Sequence, residues 1–136
     1  MNTELAAEIA RLGGDVADDV WQWLVQNGPH GPHFTWSQTR GEPPGYVGVD
    51  HLQRIVAEKE GVDSSFPARA RAVVGKALLS TDLSILRRAI QVAAVVGEEA
   101  ELRAVSGLTT HESEPVAADA RAGAFYLRKR LGTGRG

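Results

Sequence analysis

Apolar side chains recur at helical spacing along most of the chain. In the first segment, TELAAEIARLGG, they fall at Leu5, Ile9 and Leu12, and a pair of glycines follows. Side chains three and four positions apart lie on one face of a helix, and glycine commonly ends one. We therefore predict a short first helix over this segment.

The second predicted helix carries an unusually broad apolar arc. Asp15 is placed to cap its N-terminus, and the helix continues to Asn27 and Gly28. At 100° per residue the apolar side chains cover about 200° of its circumference. More than one neighbouring element, or a partner protein, must therefore cover them. The side chains concerned are Val16, Val20, Trp21, Trp23, Leu24 and Val25.

Residues 28–48 interrupt the helical pattern. The segment GPHGPHFTWSQTRGEPPGYVG contains four prolines and five glycines, and both residue types favour turns and irregular backbone. A loop of about 20 residues is uncommon inside a compact domain and is usually functional or disordered. Because HFTWSQT and GYVGV alternate like strands, a small hairpin is an alternative.

Two helices are predicted between this loop and the middle of the chain. Asp50 and Gln53 have the spacing of a capping box and open a helix that ends at Gly61. The next helix has Ser65 as its cap and Pro67 in its first turn. The predicted apolar faces consist of Leu52, Ile55 and Val56 in the first of these helices and of Ala70, Val74, Ala77 and Leu78 in the second.

The helix that follows is expected to be the central buried one. Asp82 caps the apolar segment LSILRRAIQVAAVVG. A shorter helix is predicted over Glu99–Ser106, and the last helix begins near Pro115 and runs to Leu131, before the tail GTGRG. In the central helix the buried side chains are predicted to be Ile85, Leu86, Ala89, Ile90, Ala93 and Val96, and the exposed ones chiefly Arg87, Arg88, Gln91 and Val95.

An internal repeat relates the central helix to the last one. Shifting residues 82–96 by 31 positions superposes four of its apolar positions on apolar positions of the last helix. DLSILRRAIQVAAVVGEEAELRAVSGL, a capped helix with paired arginines, a glycine and a short amphipathic helix, resembles a HEAT-type repeat. SEPVAADARAGAFYLRKRLG is similar to the opening helix of the next unit, although Asp119 replaces the second arginine. The superposed pairs are Ile85 with Val116, Ala89 with Ala120, Ala93 with Ala124 and Val96 with Leu127.

This resemblance covers about residues 64–132 and implies an all-α fold. HEAT-type units form a right-handed stack of antiparallel helix pairs that holds a protein or nucleic-acid partner. We therefore expect about seven helices in a single helical domain, residues 1–131. Within it, residues 1–62 would form a cap carrying the loop 28–48, residues 63–131 the HEAT-like helices, and residues 132–136 a flexible tail.

Composition and charge narrow the class of protein further. The net charge is only −2 and there is no cysteine, so neither a disulfide framework nor a thiolate metal site can form. The N-terminus lacks the pattern of a secretory signal, and no apolar stretch approaches the roughly 20 residues that cross a membrane. We expect a cytoplasmic protein without a membrane partner. The charge is uneven, since residues 1–27 hold five acids and one arginine while residues 121–136 hold five basic residues and no acid.

The histidines are weak candidates for metal ligands. His30 and His33 could reach one ion, with Asp50 and His51 completing the shell, but the neighbouring prolines account for the spacing equally well. The chain has no nucleophile elbow, no phosphate-binding loop and no dinucleotide fingerprint. Adjacent acids such as Glu98 and Glu99 are typical of caps and solvated faces. We therefore predict no catalytic residue, no metal and no cofactor.

The most informative binding candidates are aromatic and basic side chains. Phe125 lies off the apolar stripe of the last helix among cations, which is a combination enriched at binding hot spots. The aromatics of the loop offer a second contact surface. These patterns predict a protein-binding module, of adaptor or immunity type as in small bacterial binders, with an acidic partner or a second copy. The alternative is a nucleic-acid-binding or base-modifying helical-repeat protein, with Arg87 and Arg88 in a basic groove. The predicted partner-binding residues are Phe34, Trp36, Tyr46, Arg121, Phe125, Arg128 and Lys129.

Overall fold

The computed structural model describes residues 3–13, 19–26 and 46–132, and every regular element in these ranges is a helix. The expected all-α fold class, with about seven helices, is therefore confirmed. In chain order the helices are α1 (Thr3–Arg11), α2 (Asp19–Gln26), α3 (Tyr46–Val62), α4 (Phe66–Ala77), α5 (Leu83–Val96), α6 (Glu99–Gly107) and α7 (Glu114–Leu131).

The helix ends agree with the predicted signals at α5 and α7 and differ at α4. The carboxylate of Asp82 accepts a hydrogen bond of 3.1 Å from the backbone N–H of Ile85, as an N-cap does. The helix α7 ends at Gly132, whose φ of 74° is the left-handed conformation that glycine adopts most easily. At α4, Ser65 occupies the predicted N-cap position and Pro67 lies in the first turn, but the Ser65 hydroxyl donates to Asp63 at 2.6 Å and does not cap the helix.

The helix α3 begins four residues before the predicted capping box at Asp50. The interpretation of GYVGV as a strand is therefore wrong. A glycine inside a helix costs only about 1 kcal/mol relative to alanine, and the contacts of α3 with α4 and α5 offset this cost. The rest of the predicted loop, residues 28–45, and the predicted cap Asp15 lie outside the described residues.

The broad apolar arc of α2 is covered by the protein itself where the structure describes it. Val20, Trp21, Trp23 and Leu24 are all buried, and α2 packs against both α4 and α5. The ring of Trp23 meets that of Phe66 edge to face, with the ring centres 5.2 Å apart. As the breadth of the arc predicted, more than one neighbour covers this helix.

The central position of α5 is confirmed, but one of its faces was assigned wrongly. It contacts α2, α3, α4, α6 and α7. Gln91, which was expected outside, is 0% exposed, and Val95 is also buried. Arg87 and Arg88 are partly buried. The periodicity of the sequence reveals the most apolar face of a helix, but it cannot show that neighbours also enclose the opposite face.

The helices α5 and α7 lie side by side and run in the same direction. Arg87 pairs with Asp119, and Arg130 donates to the carbonyl of Ala94. Between these contacts, a Cβ atom on Gly123 would lie 2.9 Å from Cγ2 of Ile90. Later residues of α5 therefore contact later residues of α7, so the two helices are parallel. The sequence separation of the contacting residues is close to the 31-position shift of the internal repeat. All eight residues of the superposed pairs are buried.

The helices α4 and α6 run antiparallel to α5 and α7. A short connection joins the end of α4 to the start of α5, and Arg71 in the middle of α4 donates to the carbonyl of Val96 at the end of α5 at 3.1 Å. The start of α6 and the end of α7 line one groove, which includes Glu99 and Leu131. The end of α6 and the middle of α7 line another. The α6–α7 pair thus presents two grooves at opposite ends of α6.

Candidate functional site

Three of the predicted partner-binding residues converge at the end of α6. Arg121, Phe125 and Arg128 line a groove of about 580 Å³ between α6 and α7. This arrangement makes the groove the best candidate site in the described part of the chain. We call it the α6–α7 groove, and its lining consists of Ser106, Thr109, Arg121, Ala124, Phe125 and Arg128.

Helical spacing and a tight turn form the two walls of the groove. Arg121, Ala124, Phe125 and Arg128 are at positions i, i+3, i+4 and i+7 and so share one side of α7. The opposite wall is held by the hydroxyl of Thr109, which donates to the carbonyl of Ser106 at 2.8 Å. Nothing in the spacing of α7 reveals this wall, so Ser106 and Thr109 could not be predicted from that pattern.

Phe125 forms the apolar part of the groove. It follows Gly123 by two residues, so it lies roughly 200° around α7 from the close contact with α5. Its ring is half-buried against the core and meets Tyr126 edge to face, with the ring centres 5.4 Å apart. The aromatic expected on an exposed face is therefore half-covered, and its other half faces the groove.

The two arginines of the groove differ in their ion pairs. Arg121 donates to the Glu114 carboxylate at 2.9 Å, and its side chain is 52% exposed while that of Glu114 is 79% exposed. Arg128 is exposed and makes no ion pair with any residue in the described ranges. The groove thus has one paired and one unpaired guanidinium on either side of an aromatic ring.

The remaining basic residues near the end of α7 have other positions. Lys129 is exposed but does not line the groove. Arg130 donates to the carbonyls of Ala94 and Gly97 at the end of α5, and burial lowers the pKa of its guanidinium. A cation at a helix C-terminus is favourable, because the last carbonyls carry partial negative charge. The basic C-terminal segment therefore includes a structural arginine as well as the groove.

Arg87 and Arg88 do not join this surface. Arg87 donates to Asp119 at 2.6 Å, and Asp119 is only 2% exposed. Burial raises the pKa of Asp119, and the hydrogen bond from Arg87 opposes that shift. Burial lowers the pKa of Arg88. Arg87 and Arg88 therefore do not form the basic groove that the nucleic-acid hypothesis requires.

The other predicted contacts are not part of the described site. His30, His33, Phe34 and Trp36 lie outside the described residues, and Tyr46 is the first residue of α3. Within the ranges the structure describes, no three histidine, aspartate or glutamate side chains lie close enough to hold a metal ion. The acid at Glu101 accepts a hydrogen bond from the backbone N–H of Glu98 at 2.7 Å, which is a helix-start contact.

A second groove, of about 550 Å³, lies at the start of α6 and was not predicted. Its charge is opposite in sign, since three glutamates and one arginine line it. Arg71 lies 3.8 Å from Glu98 across it and also binds the end of α5. Its lining consists of Arg71, Ala72, Glu98, Glu99, Ala100, Glu101 and Leu131.

No helix in the described part of the chain is long and apolar enough to cross a membrane. Protein-family models, curated proteins and solved structures were compared with this chain, and none of them matches it.

Proposed function

We propose that this chain is a non-catalytic protein-binding module whose α6–α7 groove binds an acidic segment of a partner protein. The observation that carries the proposal is the convergence of Arg121, Phe125 and Arg128 in one groove. An aromatic between guanidiniums supplies apolar contact area and charge complementarity together, which is a recurring composition of binding hot spots. We further propose an adaptor or immunity type of role in the cytoplasm.

We also propose that α4–α7 form a HEAT-like stack. The parallel contact of α5 with α7 supports this, because equivalent helices of successive repeats lie side by side in such stacks. The antiparallel pairing of α4 with α5 and of α6 with α7 supports it as well. In this arrangement the side of α7 that faces away from α5 is where a further helix of the layer would be placed.

A selection from an unbiased peptide-display library tests the proposed function. The full chain is immobilised, and enriched peptides are then measured against purified wild type, Phe125→Ala and Arg128→Glu. We expect acidic peptides with at least one large apolar residue, bound at least about tenfold more weakly by each variant. Arg54→Glu is the matched control for Arg128→Glu. Arg54 is exposed on α3, and its substitution changes the net charge by the same amount.

Three results would overturn the proposal. The first is enrichment without acidic preference, the second is equal weakening by Arg54→Glu, and the third is tight, steeply salt-dependent binding of single-stranded nucleic acid that exceeds binding of every peptide. The last result would favour the nucleic-acid alternative, because counterion release makes such binding fall sharply with salt.

A further inference from the structure

Two arginines of the groove, Arg121 and Arg128, could each bind an anionic group. Arg121 and Arg128 are seven residues apart, which places them about 10.5 Å apart along the helix axis and on nearly the same side. Phe125 lies between them in the row. A matching ligand therefore carries two negative groups about this far apart, with an apolar group between them on the same side.

An α-helix matches this backbone spacing more closely than an extended strand does. Acidic residues at i and i+7 of a partner helix are also about 10.5 Å apart and on one side. Along a strand, residues on one face are about 6.6 or 13 Å apart, because side chains alternate between faces at about 3.3 Å per residue. The backbone spacing of the two arginines thus favours a helical partner segment with acidic residues at i and i+7.

The walls of the groove also suit a helix. On the α6 side the exposed residues next to the opening, Ser106 and Gly107, are small, and on the α7 side the floor includes Ala124. Small residues allow helix backbones to approach closely, and side-chain ridges of one helix pack between those of another. A helix placed here would contact α6 and α7 together.

The carboxylate of Glu114 is already bound to one of the two arginines of the groove. It is seven residues before Arg121 on the same helix, and its carboxylate binds that guanidinium at 2.9 Å. The contact demonstrates that Arg121 can bind a carboxylate in this geometry. A partner's carboxylate that binds the same N–H donor of Arg121 must replace Glu114.

We propose that the partner segment is an acidic amphipathic helix, with carboxylates at i and i+7 flanking an apolar side chain seated against Phe125, and that Glu114 competes with it for Arg121. This inference rests on the proposed function and names its partner class and its built-in competitor. Glu114 therefore sets the affinity of the groove below the value that both arginines would give if free.

Synthetic helical peptides measure both parts of the inference. One fluorescent, side-chain-stapled peptide carries glutamates at i and i+7 with leucine at i+4. A second has the same composition with the glutamates at i and i+5, which places them about 140° apart around the helix. Binding to the full chain is followed by fluorescence anisotropy, and we expect the first peptide to bind at least about tenfold more tightly.

The competitor is tested by Glu114→Gln. An exposed ion pair contributes little, so its loss should tighten binding of the i, i+7 peptide by only about two- to fivefold. The gain should disappear in an Arg121→Gln background, because the competition is for that guanidinium. Glu112→Gln is the matched control, as this exposed acid has the same charge and should leave affinity unchanged.

The outcomes separate this inference from the proposed function. Equal affinity for both spacings, or no gain in Glu114→Gln, overturns the inference while acidic binding at the groove stands. Failure of every acidic peptide to bind overturns both. If the chain self-associates and Arg128→Glu makes it monomeric, the occupant is a second copy and the inference is wrong.

Discussion

The two sides of α7 differ in what they contact. The side facing α5 carries small and apolar residues such as Ala120, Gly123 and Leu127, all buried. The side facing the groove carries Arg121 and Arg128 around a half-buried ring. Packing explains the first side, because these residues are buried and Gly123 allows close approach to Ile90. Neighbours cover the second side only in part, and its composition is what the proposed binding function requires.

This difference implies two kinds of response to substitution. Changes on the α5 side of α7 should reduce the free energy of unfolding, since they leave cavities, clashes or unpaired charges. Changes of the two groove arginines should reduce partner binding and leave the free energy of unfolding nearly unchanged.

The largest effect is expected for Arg87→Met. It removes the partner of Asp119, a buried carboxylate, and should lower the free energy of unfolding at pH 7 by about 3 kcal/mol. Burial already raises the pKa of Asp119, so the unpaired carboxyl should protonate more readily as the pH falls. The loss should therefore be smaller at pH 5 than at pH 7, as measured by urea unfolding at both values.

Arg121→Met is the control for that prediction. It removes an exposed ion pair with Glu114 and should change the free energy of unfolding by less than about 1 kcal/mol. Equal losses in the two variants would contradict the distinction between the two sides of α7.

A smaller loss is expected for Gly123→Ala. The added Cβ would lie 2.9 Å from Cγ2 of Ile90, so α5 and α7 must separate or distort. We expect a net loss of about 1–3 kcal/mol despite the higher helix propensity of alanine. Gly75→Ala meets nothing within 4 Å and should instead stabilise by about 0.5–1 kcal/mol. Thermal unfolding of the two variants would compare them, and a loss in both would contradict the packing argument.

A second largely covered carboxylate, Glu8, lies on α1. It accepts hydrogen bonds from Arg11 at 2.8 Å and from Ser80 at 2.6 Å, and these lower the pKa of Glu8 from 4.5 to about 2. Its side chain is only 12% exposed. We expect Glu8→Gln to lower the free energy of unfolding at pH 7 by about 1–2 kcal/mol.

The pH dependence of that loss has a definite sign. A depressed pKa contributes stability that is complete above the ordinary value of 4.5 and disappears as the pH falls through about 2. The difference between wild type and Glu8→Gln should therefore shrink across this interval in acid unfolding experiments. A constant difference from pH 7 to pH 2 would show that the charge of Glu8 contributes nothing.

The helices could be predicted from sequence because their signals are local. Apolar periodicity, the Asp82 cap, Pro115 and Gly132 each act within one turn of helix, and all agree with the structure. The internal repeat was also readable, since it reflects equal burial at equivalent positions of α5 and α7. By contrast, the start of α3 was missed because tertiary contacts outweigh the low helix propensity of Gly48.

The site was predictable only on the helix that carries its pattern. Arg121, Phe125 and Arg128 share a side of α7 by spacing, so the sequence places them together. Ser106 and Thr109 come from the preceding helix and turn, and their position depends on how α6 packs. Gln91 was predicted to be exposed but is buried. The helices that enclose α5 come from distant parts of the chain, so the local pattern does not reveal this burial.

The most direct test of the account is to measure binding and unfolding on the same variant of the groove side. For Arg128→Glu we predict at least about tenfold weaker binding of the i, i+7 acidic peptide, with the free energy of urea unfolding within about 0.5 kcal/mol of wild type. Arg54→Glu should change neither quantity. Unchanged peptide binding in Arg128→Glu, or weakened binding that is matched by Arg54→Glu, would contradict the assignment of this side of α7 to partner binding.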